Sequence, residues 1–342
     1  MTRSATRPPT RTPAAPAEAP AGATSCTNAV FQQLWWLDAL APGRWDEVRV
    51  ERDGRIVARL PYVLHGPRRM RILGQPPLTQ TLGPWIEPSG AKPANALAEE
   101  MEHLTALEAG LPPAAGFMQR FSPTTLNALP FHWAGYRLEV LYTYRIHGLS
   151  SEDALWGGLR SHIRRDVKKA RERTAVRDDL GLDRFYDVWS KTFARQGLRP
   201  PYAFEQLERL DAACAERGAR AILFAEDDAG RVHAVTYLVW DERAAYPLLA
   251  GADPGLRASG ASSLLMWEAM LRARRVTDVF DFEGSMIQPV ERFLRAFGGR
   301  QAPYLRVSRA LLPARAALAA RAQWRGRVAQ RRWRMATSGA QS

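Results

Sequence analysis

Residues 277–299 read TDVFDFEGSMIQPVERFLRAFGG, and this stretch predicts a strand, a turn and a helix in direct succession. Its β-favouring side chains indicate a buried strand over residues 278–282. The polar run Glu283-Gly284-Ser285 ends the strand, and Pro289 opens an amphipathic helix over residues 289–297. A strand that passes through a short loop into a helix is typical of a fold that mixes α and β structure.

The same stretch places two acidic side chains two residues apart. Asp281 and Glu283 alternate with apolar neighbours, so a regular strand would present both carboxylates on one face. Two acids on one strand face form either a salt-bridged structural pair or a site that handles protons. Both interpretations stay open at this point.

The chain divides into four parts by composition. Residues 1–27 consist mainly of Ala, Pro, Thr and Arg and are expected to be disordered. Residues 28–149 and 150–312 each show helix and strand patterns, and residues 313–342 form an Arg-rich tail. The second half is predicted to start with one helix from about Glu152 through Val167. Counting that helix, the elements of the second half follow the order α-α-α-β-β-β-α-β-α-β. This order predicts a mixed α/β sheet with helices on both faces.

Composition excludes several classes of protein. With 342 residues, 46% of them hydrophobic, the chain is long enough to bury a substantial core. Its two cysteines, Cys26 and Cys214, lie far apart, which argues against a disulfide framework and suits a reducing cytoplasm. No run of about 18 apolar residues and no apolar signal segment is present. The six histidines show no metal-ligand spacing, so no metal site is expected.

Positive charge is concentrated near the C-terminus. From Arg292 onward the sequence contains twelve arginines, no lysine and no acid, against a net charge of +13 for the whole chain. Such a segment attracts phosphate-rich partners, either nucleic acid or an anionic membrane surface. A solubilising basic tail is the alternative. We therefore expect a cytoplasmic protein, and peripheral contact of the tail with the inner face of the membrane stays open beside these alternatives.

Three segments together carry a family resemblance: LRSHIRRDVKKARER at residues 159–173, AYPLLAGADPGLRASGASSLLMWEAM at residues 245–270 and FDFEGSMIQPVERFLRAFGG at residues 280–299. They resemble the Fem-type, BioF2-like branch of the GNAT acyltransferases, over about residues 150–309. The resemblance implies a FemABX-like architecture of two tandem GNAT-like halves. It also implies transfer of an acyl group to an amine.

The resemblance places the cosubstrate at the loop before the helix predicted over residues 261–275. This loop is similar to the GNAT pyrophosphate loop, with a serine in place of the last glycine, at Arg257, Ser259, Gly260, Ala261 and Ser262. Small residues and free N–H groups at a helix start suit a phosphate. A plain turn into a helix is the alternative.

The resemblance also implies an acyl pocket. The strand over residues 232–239 would splay to receive the acyl group, and one of its main-chain N–H groups would polarise the carbonyl. Tyr237 and Trp240 are candidates for the pocket lining, with a plain core role as the alternative. Ser285 is a further candidate for contact with the substrate.

Acyl transfer to an amine requires a base and an acid. Glu283 is the candidate base, acting directly or through water, and Asp281 is the second candidate. Tyr304 is the candidate acid for the leaving group, with a structural role in its strand as the alternative.

Two further features bear on the donor. The basic helix over residues 160–173 suits tRNA or phosphate binding, with a solvated helix face as the alternative. Peptidoglycan-building Fem proteins commonly carry Phe-Lys where this chain has Phe293-Leu294. This departure weighs against transfer from aminoacyl-tRNA to a cell-wall precursor.

The sequence therefore predicts an N-acyltransferase that moves an acyl group from an acyl-CoA, such as acetyl-CoA, to an amine. The acceptor would be a small molecule or a cell-envelope precursor, and no permanently bound cofactor is expected. One alternative is a Fem-like aminoacyltransferase that uses aminoacyl-tRNA. The other is a non-catalytic module that binds RNA or an anionic membrane.

Overall fold

The computed structural model describes residues 10–11, 26–67, 70–194 and 197–310. These residues form two compact units, one running up to Leu141 and resuming at Pro303, the other spanning Tyr142–Ala302. The Arg-rich tail and most of the segment predicted to be disordered lie outside the described residues. Thr27, assigned to that segment by the sequence, is buried.

The first unit contains a mixed sheet and three α-helices. Its strands are β1 Thr10–Arg11, β2 Trp45–Arg52, β3 Arg55–His65, β4 Ile72–Gly74, β5 Trp85–Ile86, β6 Gly116–Arg120 and, from Pro303 onward, β13 Arg300–Ala310. They follow the order β1-β2-β3-β4-β6-β13, and β5 also pairs with β3. Only β4 and β6 pair in parallel among these strands. The helices are α1 Leu34–Leu40, α2 Pro93–Ala109 and α3 Leu129–Trp133, after a 3-10 turn at Val30–Gln32.

The second unit contains strands that pair in both parallel and antiparallel directions. Its strands are β7 Arg137–His147, from Tyr142 onward, β8 Ala175–Arg177, β9 Arg220–Glu226, β10 Val232–Trp240, β11 Ala245–Ala252 and β12 Val279–Asp281. They follow the order β7-β12-β11-β10-β9-β8. The helices are α4 Glu152–Gly158, α5 Ser161–Arg171, α6 Leu182–Ala194, α7 Phe204–Glu216, α8 Ala261–Ala273 and α9 Gln288–Arg295.

Helices cover both faces of the strands in the second unit. On one face, α5, α8 and α9 share a buried cluster with strand residues such as Leu238 and Phe280. On the other face, Phe185 of α6 packs edge-on against Tyr237 of β10, with ring centroids 5.7 Å apart. Because Tyr237 and Leu238 are neighbours in a strand, they point to opposite faces. The predicted mixed α/β sheet with helices on both faces is therefore confirmed.

The prediction of one continuous helix after Glu152 is wrong. The chain forms α4 and α5 with a break between them, and the Arg164 guanidinium donates to the Leu159 carbonyl at 2.5 Å across the break. The Arg160 N–H leaves the helical pattern and donates to the Ala296 carbonyl at 2.9 Å. Ser151 caps the start of α4, because its hydroxyl accepts the Ala154 N–H at 3.1 Å.

Several short elements were not predicted, because two to five residues carry too little periodicity to be recognised. They are β4, β5, β8 and α3. Within the described ranges, no helix has both the length and the apolar character needed to cross a membrane.

His103 on α2 gives the first unit a pH-dependent stability. Its side chain is buried, and neither ring nitrogen has a hydrogen-bond partner among the described residues. Burial, reinforced by Arg52, lowers the pKa of this imidazole below its usual value of 6.5. The unfolded chain therefore binds a proton at a higher pH than the folded chain does. We expect the free energy of unfolding to fall as the pH drops below about 6.5 and to be independent of His103 above it.

The substitution His103→Leu should remove this dependence. The measurement is urea denaturation at about pH 7.5 and about pH 5, in wild type and variant. His132→Leu, which changes an exposed histidine of α3, should leave the wild-type difference intact. An equal loss of stability in the His103 variant and the wild type would assign the effect to other groups.

Candidate functional site

The sheet of the second unit opens between β11 and β12. These two strands pair in parallel at a single register position, Ala245 with Phe280. Beyond it β11 continues to Ala252, and within the described residues no strand pairs with this edge. Main-chain N–H and C=O groups along that edge are therefore directed into the opening.

The expectation that residues 232–239 splay is wrong. That strand is β10, which pairs along its length with β9 on one side and β11 on the other. The open edge belongs to the next strand. The reason is that β10 sits in a continuous antiparallel meander, whereas the crossover through α8 returns β12 parallel to β11 with only one paired position.

The loop that leads into α8 turns at a glycine in the left-handed conformation. A 3-10 turn at Arg257–Ser259 precedes Gly260, which has a φ of 83° in the left-handed region. A Cβ at Gly260 would lie 2.4 Å from the Asp166 carbonyl oxygen, so only glycine fits between the loop and α5. The Ser259 hydroxyl accepts from the Ala261 N–H at 3.3 Å.

Ser262 lies inside α8 rather than in the loop itself. Its side chain is exposed, and its backbone does not have a positive φ. Serine therefore needs no unusual conformation here, and its N–H belongs to the first turn, where a helix has no internal acceptors. The serine that departs from the GNAT pattern preserves the backbone of the loop.

The acidic residues at the end of β12 form a turn, not a shared strand face. The strand stops at Asp281, and Glu283 has a φ of 58° while Gly284 has a φ of 64°. The Asp281 carboxylate accepts the Glu283 N–H at 2.9 Å and so closes the turn. The expectation that Asp281 and Glu283 lie on one strand face is therefore wrong, because the chain turns into the left-handed region between them.

Asp281 is buried, and its carboxylate is fully engaged. It accepts the Thr143 hydroxyl at 2.6 Å and pairs with Arg145 at 3.2 Å, both on β7. Burial raises the pKa of this carboxyl, while Thr143 and Arg145 oppose the rise. Asp281 thus acts on the shape of the turn, and Glu283 is the acid that the turn presents.

Two groups near this turn were missed by the sequence analysis. Tyr246 follows Ala245, the position at which β11 pairs with β12, and its side chain is buried. Burial together with Asp241 and Asp281 raises the pKa of its phenol. Burial raises the pKa of Asp241 to about 6. Thr143 and Arg145 are two residues apart on β7, so their side chains lie on the same face of that strand. The sequence could have placed them beside Asp281 only if the pairing of β7 with β12 had been known.

Four further predicted site residues lie in four different surroundings. Tyr237 is fully buried and donates to an Asp211 carboxylate oxygen at 2.7 Å, so it packs as a core residue. Trp240 is half-buried at the end of β10. The Ser285 hydroxyl accepts the Ile287 N–H at 3.1 Å and leads the chain into α9. Tyr304 belongs to the first unit, where its hydroxyl accepts from Gln80 at 3.1 Å.

The described residues contain no cluster of three or more His, Cys, Asp or Glu side chains arranged to hold a metal ion.

Gly284 provides a direct test of the turn. A Cβ at this position would lie 2.1 Å from the Tyr142 carbonyl oxygen, in a left-handed conformation. We expect Gly284→Ala to reduce the free energy of unfolding by about 3 kcal/mol or more, measured by urea denaturation. Gly230→Ala is the matched control, because Gly230 has a φ of 73° but open space around it. It should cost about 1–2 kcal/mol, and an equal cost at both positions would refute the close approach.

The comparisons with known proteins place this site in a recognised domain. Residues 157–293 match the family model of the acetyltransferase (GNAT) domain. No curated protein sequence matches the chain.

Among solved structures, the chain resembles FemX, with 13% identity, a TM-score of 0.61 and coverage of 81% of this chain and 91% of FemX. The tandem GNAT protein from the clavulanic acid biosynthesis pathway aligns with 13% identity and a TM-score of 0.46, over 78% of this chain and 82% of its own. The C-terminal domain of a putative lysylphosphatidylglycerol synthetase from Agrobacterium fabrum aligns with 16% identity and a TM-score of 0.48, over 77% and 84%. At this level of identity the likeness to FemX establishes the fold. Residues 157–293, which match the model of the GNAT acetyltransferase domain, include the loop before α8, the opening beside β11 and the acidic turn after β12.

Proposed function

We propose that this protein transfers an acyl group from an acyl-CoA to an amine. One observation carries the proposal: the opening between β11 and β12 lies between the loop that starts α8 and the turn that presents Glu283. The loop suits a diphosphate, the open strand edge suits a thioester arm, and the turn suits a base. These three requirements of a thioester donor and an amine acceptor occur together in one segment of the chain.

The donor would bind mainly through backbone groups. Its pyrophosphate would meet the first N–H groups of α8, where the helix dipole favours negative charge. Its pantetheine arm would extend along the open edge of β11 and hydrogen-bond to the strand. An N–H of β11 would polarise the thioester carbonyl, on which negative charge develops during attack.

Glu283 would remove the proton from the attacking amine. The amine nitrogen forms a bond to the thioester carbon, its proton passes to the Glu283 carboxylate, and the carbon–sulfur bond then breaks. The thiolate that leaves takes up a proton. Tyr304 is the sequence-based candidate for this proton donor, and Tyr246 is a neutral phenol within the GNAT domain that offers the same chemistry.

Asp281, Thr143 and Arg145 would act as positioning residues. They fix the turn through one backbone N–H, one hydroxyl and one guanidinium. A base held in a fixed place loses less entropy in reaching the transition state.

Glu283→Gln tests the assignment of the base. We expect kcat for acetylation of an accepted amine to fall by about 10²- to 10⁴-fold, because the transferred proton loses its acceptor. The dissociation constant for acetyl-CoA should stay within about twofold, since the variant keeps the loop. Activity of the variant should recover as pH rises, because a deprotonated amine no longer needs the base.

Glu242→Gln is the control, because Glu242 lies exposed in the hairpin between β10 and β11. It should leave kcat unchanged. If Glu283→Gln keeps full activity on an amine that the wild type acetylates, the base has been assigned wrongly. If the full-length wild type binds acetyl-CoA in no assay and instead binds charged tRNA saturably, the donor has been assigned wrongly.

A further inference from the structure

Helix α5 lies directly against the loop proposed to hold the donor. The Asp166 carbonyl fills the space where a Gly260 side chain would be, and the Ser263 hydroxyl approaches the Asp166 carboxylate at 3.4 Å. One turn further on, Arg171 pairs with Glu268 of α8 at 2.9 Å. Because positions increase together on both helices, α5 and α8 run parallel, with their N-termini toward the same side.

The flank of α5 next to this contact is cationic. Ile163, Val167 and Ala170 form its buried face. Helical spacing of 100° per residue places Lys169 about 60° from Asp166, on the same flank, and Arg165 about 40° beyond Lys169, on the side facing away from the buried face. Lys168 lies about 160° from Asp166, on the opposite flank. Lys169 is three residues from Asp166, a rise of about 4.5 Å along the axis.

These two cations are available to a ligand. Arg165 is exposed and Lys169 is half-exposed. Among the described residues, neither takes part in an ion pair, whereas Arg164 caps α4 and Arg171 is held by Glu268. Two unpaired cations one turn apart repel each other by a few tenths of a kcal/mol, so the helix gains nothing from them without an anion.

We infer that Arg165 and Lys169 of α5 bind phosphate groups at the nucleotide end of the acyl-CoA donor. The inference rests on the proposed function, and it adds a second helix to the donor site. The first N–H groups of α8 hold the pyrophosphate as dipoles, and the side chains of α5 supply full charges beside them. A coenzyme A molecule carries a pyrophosphate and a 3′-phosphate, and both fit this chemistry.

The test compares acetyl-CoA with acetyl-dephospho-CoA, which lacks the 3′-phosphate, by isothermal titration of the full-length protein. We expect Arg165→Gln and Lys169→Gln each to weaken acetyl-CoA binding by about 5- to 10-fold, and the double variant by about 30-fold or more. The double variant should also show a weaker dependence of affinity on salt. Lys168→Gln, which removes the same charge from the other flank, should change the affinity by less than about twofold.

The two ligands identify the phosphate. If the double variant loses affinity for acetyl-CoA but not for acetyl-dephospho-CoA, the cations bind the 3′-phosphate. If it loses affinity for both equally, they bind the pyrophosphate. Either result supports the inference.

Three results would overturn it. Unchanged acetyl-CoA affinity in the double variant, with the wild type binding normally, refutes the role of α5 and leaves the proposed function standing. If tRNA binding is lost in that variant while acetyl-CoA binding is kept, α5 is a nucleic-acid surface instead. Absence of acyl-CoA binding in the wild type would remove the proposed function and this inference together.

Discussion

The buried carboxylate of Asp281 is the interaction on which the acidic turn depends. A carboxylate removed from water is costly unless charge and hydrogen bonds compensate it. Here Arg145 supplies the charge, and the Thr143 hydroxyl and the Glu283 N–H supply the hydrogen bonds. Thr143 and Arg145 lie on β7, and the Glu283 N–H lies in the turn. The free-energy cost of burying Asp281 is therefore offset only when β7, β12 and the turn are assembled together.

The parallel pairing of β11 and β12 imposes the second constraint. A parallel pair needs a crossover, and the crossover here is α8, packed on one face of the sheet. The strands meet at Ala245 and Phe280 and then separate, which leaves an edge of β11 without a strand partner among the described residues. The start of the crossover helix and the open strand edge are thus consequences of the same connection.

Local patterns in the sequence predicted most elements with long periodicity, and they failed where contacts are long-range. Leu155, Leu159, Ile163 and Val167 keep i, i+4 spacing across the break between α4 and α5, so the pattern gave no sign of it. The break depends on Arg160 donating to Ala296, far along the chain.

The turn after β12 follows the same logic. Alternation from Val279 to Glu283 favours a strand to the end of that run. The chain turns earlier because Gly284 must lie against the Tyr142 backbone and Asp281 must reach β7. The sequence identified Glu283 as the acid of interest, but the role of Asp281 depends on β7, whose pairing with β12 no local pattern contains.

Ser262 shows how a departure from a family motif is resolved by geometry. In the loop, the position that requires glycine is Gly260, where a left-handed φ coincides with close contact to α5. Ser262 lies within α8, so replacing glycine by serine there leaves the path of the backbone unchanged. The replacement adds only a side chain beside the first turn of the helix. A phosphate there meets the same N–H groups whether the residue is serine or glycine. The specificity of such a site then depends on the side chains beside it, and α5, which contacts the loop through Asp166, carries Lys169 on that flank.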